Sequence, residues 1–305
     1  MNDERPSERR GYRDDDAYRS ERMTDHMTRK AVFLDVDGTL IDDYGRVPDS
    51  AVRAVREARR NGHLVFLCTG RSMVELSQGV LDVGFDGFVV ASGAYVQVGS
   101  DVLLHERLTP EAVRHVADYF DAHGGGCYFQ ANDGVYASPQ SRDLLGRIVA
   151  SHVAADPAFD ELEHGLLRYV DTIIVDSDPY AMPITKAIYF DAVGTLDELR
   201  AEFADFEIVP SSVTVFGTNA GEMMIPGVHK ATGIDVLLGH VGIDLKDTIA
   251  IGDSYNDLEM LEHVAVGIAM GDAPQAVKDI ADEVTTSTTE DGIHLAFVRH
   301  GLVAE

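Results

Sequence analysis

From residue 29 onward the apolar and polar positions alternate between two periods. Residues 31–35 (AVFLD) form an unbroken apolar run closed by an acid, the pattern of a strand buried on both faces. A stretch at 49–60 then carries Val52, Val55 and Ala58 at helical spacing and stops at Asn61-Gly62. A second apolar run, His63–Cys68, precedes a helix expected to start near Ser72, and a third strand is expected over Gly87–Ala91. Strand, helix, strand, helix, strand at this spacing predicts a parallel sheet with right-handed crossovers. The same grammar returns late in the chain. Strands are expected at Thr248–Ile251 and Ala265–Ala269, with helices over Asn256–His263 and Pro274–Glu283.

Between these halves the texture changes. The pattern predicts a helix at 110–122, a hairpin about Asn132-Asp133-Gly134, and a strand, helix and strand across Ile184–Val209. The expected fold class is therefore α/β: a Rossmann-like, doubly wound parallel sheet (29–107 and 213–305) into which an α+β domain (108–212) is inserted. Residues 1–28 are dense in Arg, Asp and Glu with almost no aliphatic content, so they are expected to form a disordered tail, in which Met23 and Met27 are alternative starts.

Composition narrows the partners. Of the 305 residues 45% are hydrophobic, enough for proper cores, and no apolar run approaches the roughly 20 residues of a spanning helix. The N-terminus lacks the apolar core of a signal peptide, so a cytoplasmic location is expected. A formal net charge of −27 argues against nucleic acid and anionic membrane as partners. Cys68 and Cys127 belong to no CxxC pair and are expected to be packing residues.

Candidate chemistry gathers at the strand ends. In a strand, residues i and i+2 point to one side, so Asp35 and Asp37 of DVDGTL (35–40) are expected to sit together, which demands a cation or a dense set of donors. Open parallel sheets bind ligands outside the carboxyl ends of their strands, where Asp35, Asp37, Thr69 and Asp253 all fall. A second stretch, YFDAVGTL at 189–196, mimics the first but places Val193 where the second acid would stand. There Thr195 is expected to cap a helix over Leu196–Ala204, with Glu198 closing a capping box.

DVDGTL at 35–40, TGR at 69–71, Lys230 in IPGVHKATGI and GDSYND at 252–257 follow the order and spacing of the haloacid dehalogenase superfamily, and the chain resembles its Cof-type phosphatases from about residue 30 to 300. The resemblance implies a large cap inserted between the second and third motifs. It implies Asp35 as nucleophile forming an aspartyl-phosphate, and Asp37 as general acid and then general base. Mg²⁺ is the implied cofactor, held by Asp35, the backbone carbonyl of Asp37, and Asp253. Thr69, Gly70, Lys230 and Asn256 are the implied phosphate-binding residues, with a helix dipole expected just after Gly70. Asp257 is either an orienting contact behind the metal or a water-mediated metal contact, and Arg71 either touches the phosphate or pairs with a carboxylate. Ser92 stands where the family usually carries Asn, and His229 is expected at the surface.

The expected function is Mg²⁺-dependent hydrolysis of a small phosphorylated metabolite, with a sugar phosphate as the expected substrate and the leaving group recognised from the cap. Alternatives are a phosphosugar mutase resembling the phosphomannomutases and a non-catalytic protein that binds a phosphorylated metabolite. Oligomeric state is not legible in the sequence.

Overall fold

The computed structural model describes residues 28–155, 166–175, 177–211, 214–216 and 219–304. The tail expected over residues 1–28 lies, Thr28 apart, outside them. Among the described residues no helix is long and apolar enough to cross a membrane.

The first half of the main sheet follows the expected alternation: β1 (Ala31–Leu34), α1 (Asp49–Arg60), β2 (Leu64–Cys68), α2 (Gln78–Leu81) and β3 (Gly87–Val90). Two strands absent from the sequence reading, β4 (Tyr95–Val98) and β5 (Asp101–His105), then extend the sheet antiparallel. The inserted part holds α3 (Pro110–His123), β6 (Gly126–Gln130), β7 (Val135–Ala137), α4 (Pro139–Ala155), α5 (Leu166–Thr172), β8 (Lys186–Phe190), α6 (Leu196–Glu202), β9 (Glu207–Pro210) and β10 (Gly221–Met224). The chain returns to the main sheet through α7 (Lys230–Val241), β11 (Thr248–Gly252), α8 (Leu258–His263), β12 (Val266–Ala269), α9 (Gln275–Ile280), β13 (Glu283–Val284) and α10 (Gly292–Arg299).

The main sheet runs β13-β12-β11-β1-β2-β3-β4-β5, parallel from β13 to β3. Period-two alternation divides its apolar residues between two layers. Val32, Leu34, Val65, Leu67 and Ile251 pack toward α1 and α10, with Val55, Ala58 and Phe297. Phe33, Phe66, Cys68 and Ala250 pack toward α7 and α8, with Ile234, Leu237 and Met260. Helices thus cover both faces, as expected of a doubly wound sheet. Cys68 and Cys127 are buried free thiols.

The second sheet, β7-β6-β8-β10-β9, is antiparallel throughout. The hairpin about Asn132-Asp133-Gly134 joins β6 to β7 as expected, and Thr195 caps α6 in a capping box with Glu198. Because β10 lies between β8 and β9, this sheet extends beyond residue 213, where the sequence reading returned to the core. Leu108 N–H donates to the Ile184 carbonyl at 2.8 Å beside the outgoing linker.

Three local expectations are corrected. The helix expected from Ser72 is a single 3₁₀ turn over Met73–Glu75. The backbone N–H and hydroxyl of Ser72 both close on Glu75 Oε2, Leu76 is extended, and Ser77 then caps the separate α2. Two cap residues five apart leave room for no longer helix. The helix expected over Pro274–Glu283 ends at Ile280, and Glu283 pairs in the edge strand β13. Helix α6 stops at Glu202, two residues before the expected end.

Candidate active site

The strand order places β11, β1, β2 and β3 side by side, so the residues just past their carboxyl ends become neighbours. Asp35 continues β1 by donating its N–H to the Ile251 carbonyl at 3.0 Å, and Thr69 continues β2 by donating to Val89 at 2.9 Å. Asp253 follows β11 directly, and Ser92 follows β3. Residues separated by more than 200 positions in the chain thereby share one crevice.

Asp35, Asp253 and Asp257 each bring a carboxylate oxygen into one cluster, all within 4.8 Å of one another. Lys230, the first residue of α7, enters the same cluster with its Nζ 2.6 Å from Asp35 Oδ1 and 2.5 Å from Asp257 Oδ1. Asp35 and Lys230 are buried. Burial and then the Asp257 charge push the Asp35 carboxyl well above the ordinary range, and Lys230 only partly offsets this. Burial and Asp257 likewise raise Asp253 to about 7, against a hydrogen bond from Thr39. Burial works to lower Lys230, yet Asp257 and Asp35 hold its ammonium above the usual lysine value.

The loop after β11 is ordered by Asp257, whose Oδ2 accepts the backbone N–H groups of Asp253 and Ser254 at 3.0 Å each. With Lys230 on Oδ1, both its oxygens already have protein partners. Asn256 Oδ1 accepts from Ser254 Oγ at 2.7 Å, which fixes the direction of its amide. Gly38 has φ +72°, and a Cβ there would fall inside the Asp253 carboxylate. Only glycine lets the chain turn away after Asp37 while Asp253 stays in place.

Asp37 is not one of the three clustered carboxylates, but it lies close enough for its charge to act on Asp35 and Asp253. Arg71 takes it in a two-pronged ion pair, Nη2 to Oδ1 at 2.6 Å and Nε to Oδ2 at 2.8 Å. Of the two readings for Arg71, the structure shows carboxylate pairing. Thr69 is buried and accepts the Arg71 N–H on its hydroxyl at 3.2 Å. No helix begins just after Gly70, so the dipole expected there is replaced by the short Met73–Glu75 turn. Ser92 is buried in a left-handed backbone conformation, φ +55°, with its hydroxyl lacking a hydrogen-bond partner among the described residues. His229 caps α7 and is half-buried, its Nδ1 out of contact with solvent, rather than at the surface.

Sequence reasoning missed the groups that the inserted domain brings to this crevice. Glu75 Oε1 accepts from Gln130 Nε2 at 2.7 Å and from the Tyr169 hydroxyl at 2.8 Å. Met73 N–H donates to Asn132 Oδ1 at 3.2 Å, and Lys186 Nζ approaches Gly70. The one usable signal was Lys186 itself, a charge opening the apolar strand KAIYF.

The donor set fits a small divalent cation. It consists of hard carboxylate oxygens in a site where burial first and mutual repulsion second raise Asp35 and Asp253, and a cation would relieve that repulsion. Lys230 supplies only one positive charge against three acids.

The family profile described as haloacid dehalogenase-like hydrolase matches residues 32–297, and the chain belongs to that family. Among curated proteins, YkrA of Bacillus subtilis (strain 168) is 28% identical over 277 residues, covering 91% of this chain and 100% of that one. The 5-amino-6-(5-phospho-D-ribitylamino)uracil phosphatase YcsE of the same organism is 27% identical over 276 residues, covering 89% and 95%. Among solved structures, the HAD subclass IIB sugar phosphatase BT4131 superposes with a TM-score of 0.74 at 27% identity, covering 90% of this chain and 100% of that one.

Proposed function

We propose that this hydrolase is a Mg²⁺-dependent phosphatase of a small phosphomonoester, a sugar phosphate, working through an aspartyl-phosphate. The observation that carries the reading is the convergence of Asp35, Asp253, Asp257 and Lys230 at the carboxyl ends of β1 and β11, with Asp37 and Thr69 beside them. Phosphatase activity in relatives alignable along nearly the whole chain supports it.

Asp35 attacks phosphorus while the ester oxygen departs on the opposite side, and Asp37, once a proton has replaced one prong of the Arg71 fork, donates that proton to the leaving oxygen. Lys230 balances charge on Asp35 and on the phosphoryl oxygens. The Thr69 hydroxyl, the Gly70 amide and the Asn256 amide orient the phosphoryl group. Asp37 then takes a proton from the water that cleaves the aspartyl-phosphate, releasing inorganic phosphate and restoring Asp35. Asp35, Asp253 and the Asp37 carbonyl would hold Mg²⁺, with Asp257 ordering the loop that presents Asp253. When bound, Mg²⁺ screens the nucleophile from the phosphate charge and stabilises charge developing in transfer.

The inserted sheet forms the cap over this crevice. A cap admits a small organophosphate and excludes bulk water. The test is a screen of phosphorylated metabolites for phosphate release, run with Mg²⁺, with chelator, and with Mg²⁺ restored. Release that stops with chelator and returns with Mg²⁺ is expected. Isomerised sugar phosphate without release would establish a mutase instead.

A further inference from the structure

The cap contributes a buried ion pair that the phosphoryl chemistry does not use. Lys186 Nζ lies 2.7 Å from Glu222 Oε2, and the two side chains are 3% and 17% exposed. In the β6–β8 register Lys186 faces Gln130, and Ile188, two residues on, faces Glu222 of β10. Residues two apart in a strand share a face, so Gln130, Lys186 and Glu222 lie on one side of the cap sheet. Farther along, that side packs on α4 through Tyr128, Ile188 and Phe190, but at the Gln130–Lys186 end it meets the main domain, where Gln130 donates to Glu75. A Cβ built on Gly70 would come within 3.5 Å of Lys186 Nζ, 3.5 Å of Ser92 Oγ and 3.4 Å of Asn256 Nδ2. Three polar groups, one from the cap and two from the core, thus converge on one spot beside the phosphate-binding Thr69.

Two further facts bear on what occupies that spot. Ser92 Oγ and Gln130 Oε1 are buried without a hydrogen-bond partner among the described residues. Buried polar atoms left unpaired are costly, so such atoms at a crevice point to groups that a ligand would satisfy. Glu222 is the hydrogen-bond partner of Lys186 among the described residues, which leaves two of the three ammonium N–H bonds for another acceptor. A lone lysine there would select a second anionic group on the substrate. A lysine already neutralised by a carboxylate instead presents a donor and an acceptor side by side, the complement of hydroxyl groups, each of which donates one hydrogen bond and accepts others.

We infer that Lys186 and Glu222 are specificity-determining residues that read hydroxyl groups of a neutral polyol next to the scissile phosphate, with Ser92 and Gln130 completing the contact. The inference rests on the phosphatase reading above and narrows its substrate class. It excludes substrates whose leaving group carries a second phosphate or a carboxylate at this place.

The test compares kcat/KM for hexose 6-phosphate, ribitol 5-phosphate, 4-nitrophenyl phosphate, 2-phosphoglycolate and a hexose bisphosphate, in the parent protein and in Lys186→Met and Glu222→Gln. The parent is expected to favour the neutral polyol phosphates over both doubly anionic substrates. In Lys186→Met the ratio of polyol-phosphate to aryl-phosphate kcat/KM falls by about 10-fold or more, the size of a hydrogen bond to a charged group. In Glu222→Gln the freed lysine charge raises the ratio of 2-phosphoglycolate to hexose 6-phosphate, a gain that misfolding cannot produce. A parent enzyme that prefers the doubly anionic substrates would overturn the inference. So would variants that slow all five substrates by one factor, which would place Lys186 on the phosphoryl group itself. Absence of phosphate release from every substrate, 4-nitrophenyl phosphate included, would instead remove the phosphatase reading and this role with it.

Discussion

Arg71 grips Asp37 through both carboxylate oxygens, at 2.6 and 2.8 Å, and anchors its own guanidinium on the Glu75 carbonyl at 3.1 Å. A planar fork of this kind fixes the direction of a carboxylate as well as its charge. Arg71→Met is therefore expected to lower kcat by about 10- to 100-fold for substrates with a poor leaving group, part of the roughly 10²- to 10⁴-fold that a positioned acid–base group contributes. KM should change little. Hydrolysis of 4-nitrophenyl phosphate, whose leaving group needs no proton, should fall less. An equal fall for both substrates with a matching rise in KM would show that Arg71 binds the phosphate.

Lys230 is the cation shared by Asp35 and Asp257, and all three side chains are buried. Replacing it by methionine would leave two carboxylates in a dry site with no positive partner, a loss expected to cost about 3 to 5 kcal/mol of stability. Denaturant unfolding measures it. Because a divalent cation would then supply the missing charge, Mg²⁺ is expected to raise the melting temperature of Lys230→Met by more than it raises that of the parent. Equal shifts would place the ion away from this cluster.

His63 gives the fold a pH dependence remote from the crevice. Its Nδ1 accepts the Lys30 backbone N–H at 3.1 Å, so the folded state requires the neutral ring, and burial followed by the nearby Lys30 charge lowers its pKa. A base whose folded pKa is depressed is protonated first in the unfolded chain. Stability is then fully present above the unfolded value near 6.5 and declines as pH falls from there toward the folded pKa. His63→Gln, which keeps an acceptor without titrating, should flatten the dependence of unfolding free energy on pH between about 6.5 and 5. An unchanged slope would assign the pH dependence to other groups.

Much of this architecture was legible because the main sheet is buried on both faces. Strands such as AVFL and LVFLC are then continuous apolar runs, and the acids that end them stand out. The positions of Asp35, Thr69, Lys230 and Asp253 follow from strand order and short motifs, which are local signals. The rest depended on contacts that no local pattern encodes. β4 and β5 lie at the sheet edge, where exposure leaves only a weak alternation, and β5 is half-exposed along its length. The turn at Ser72 looks like a helix start, yet Glu75 closes it early and reaches across to the cap. Arg71 carried two readings, phosphate contact or carboxylate pairing, because only the folded crevice brings Asp37 within its reach. The pairing of Lys186 was hidden because its partner Glu222 lies 36 residues away on a strand, β10, that the sequence reading had assigned to the core.

That same Glu75 ties cap position to catalytic geometry. One of its oxygens accepts from Gln130 and Tyr169 of the cap, the other holds the Ser72 turn, and its backbone carbonyl receives Arg71, which in turn holds Asp37. Tyr169 stays a neutral phenol because burial and the adjacent Glu75 charge raise its pKa well above the ordinary tyrosine value, so it remains a donor across the working pH range. Glu75→Ala removes the carboxylate while leaving the backbone carbonyl for Arg71. The closed arrangement loses two hydrogen bonds to a charged acceptor, each about 1.5 to 3 kcal/mol before relaxation. Apparent affinity falls with the fraction of molecules in the competent state, so KM is expected to rise about 10-fold or more while kcat falls less. Limited proteolysis supplies a second readout. If the contact latches the cap, cleavage in the linkers near residues 107–109 and 225–227 should speed up in Glu75→Ala and slow again when a slowly hydrolysed phosphate ester is added. A variant with lowered kcat, unchanged KM and unchanged cleavage would show that Glu75 acts only through the Arg71–Asp37 pair.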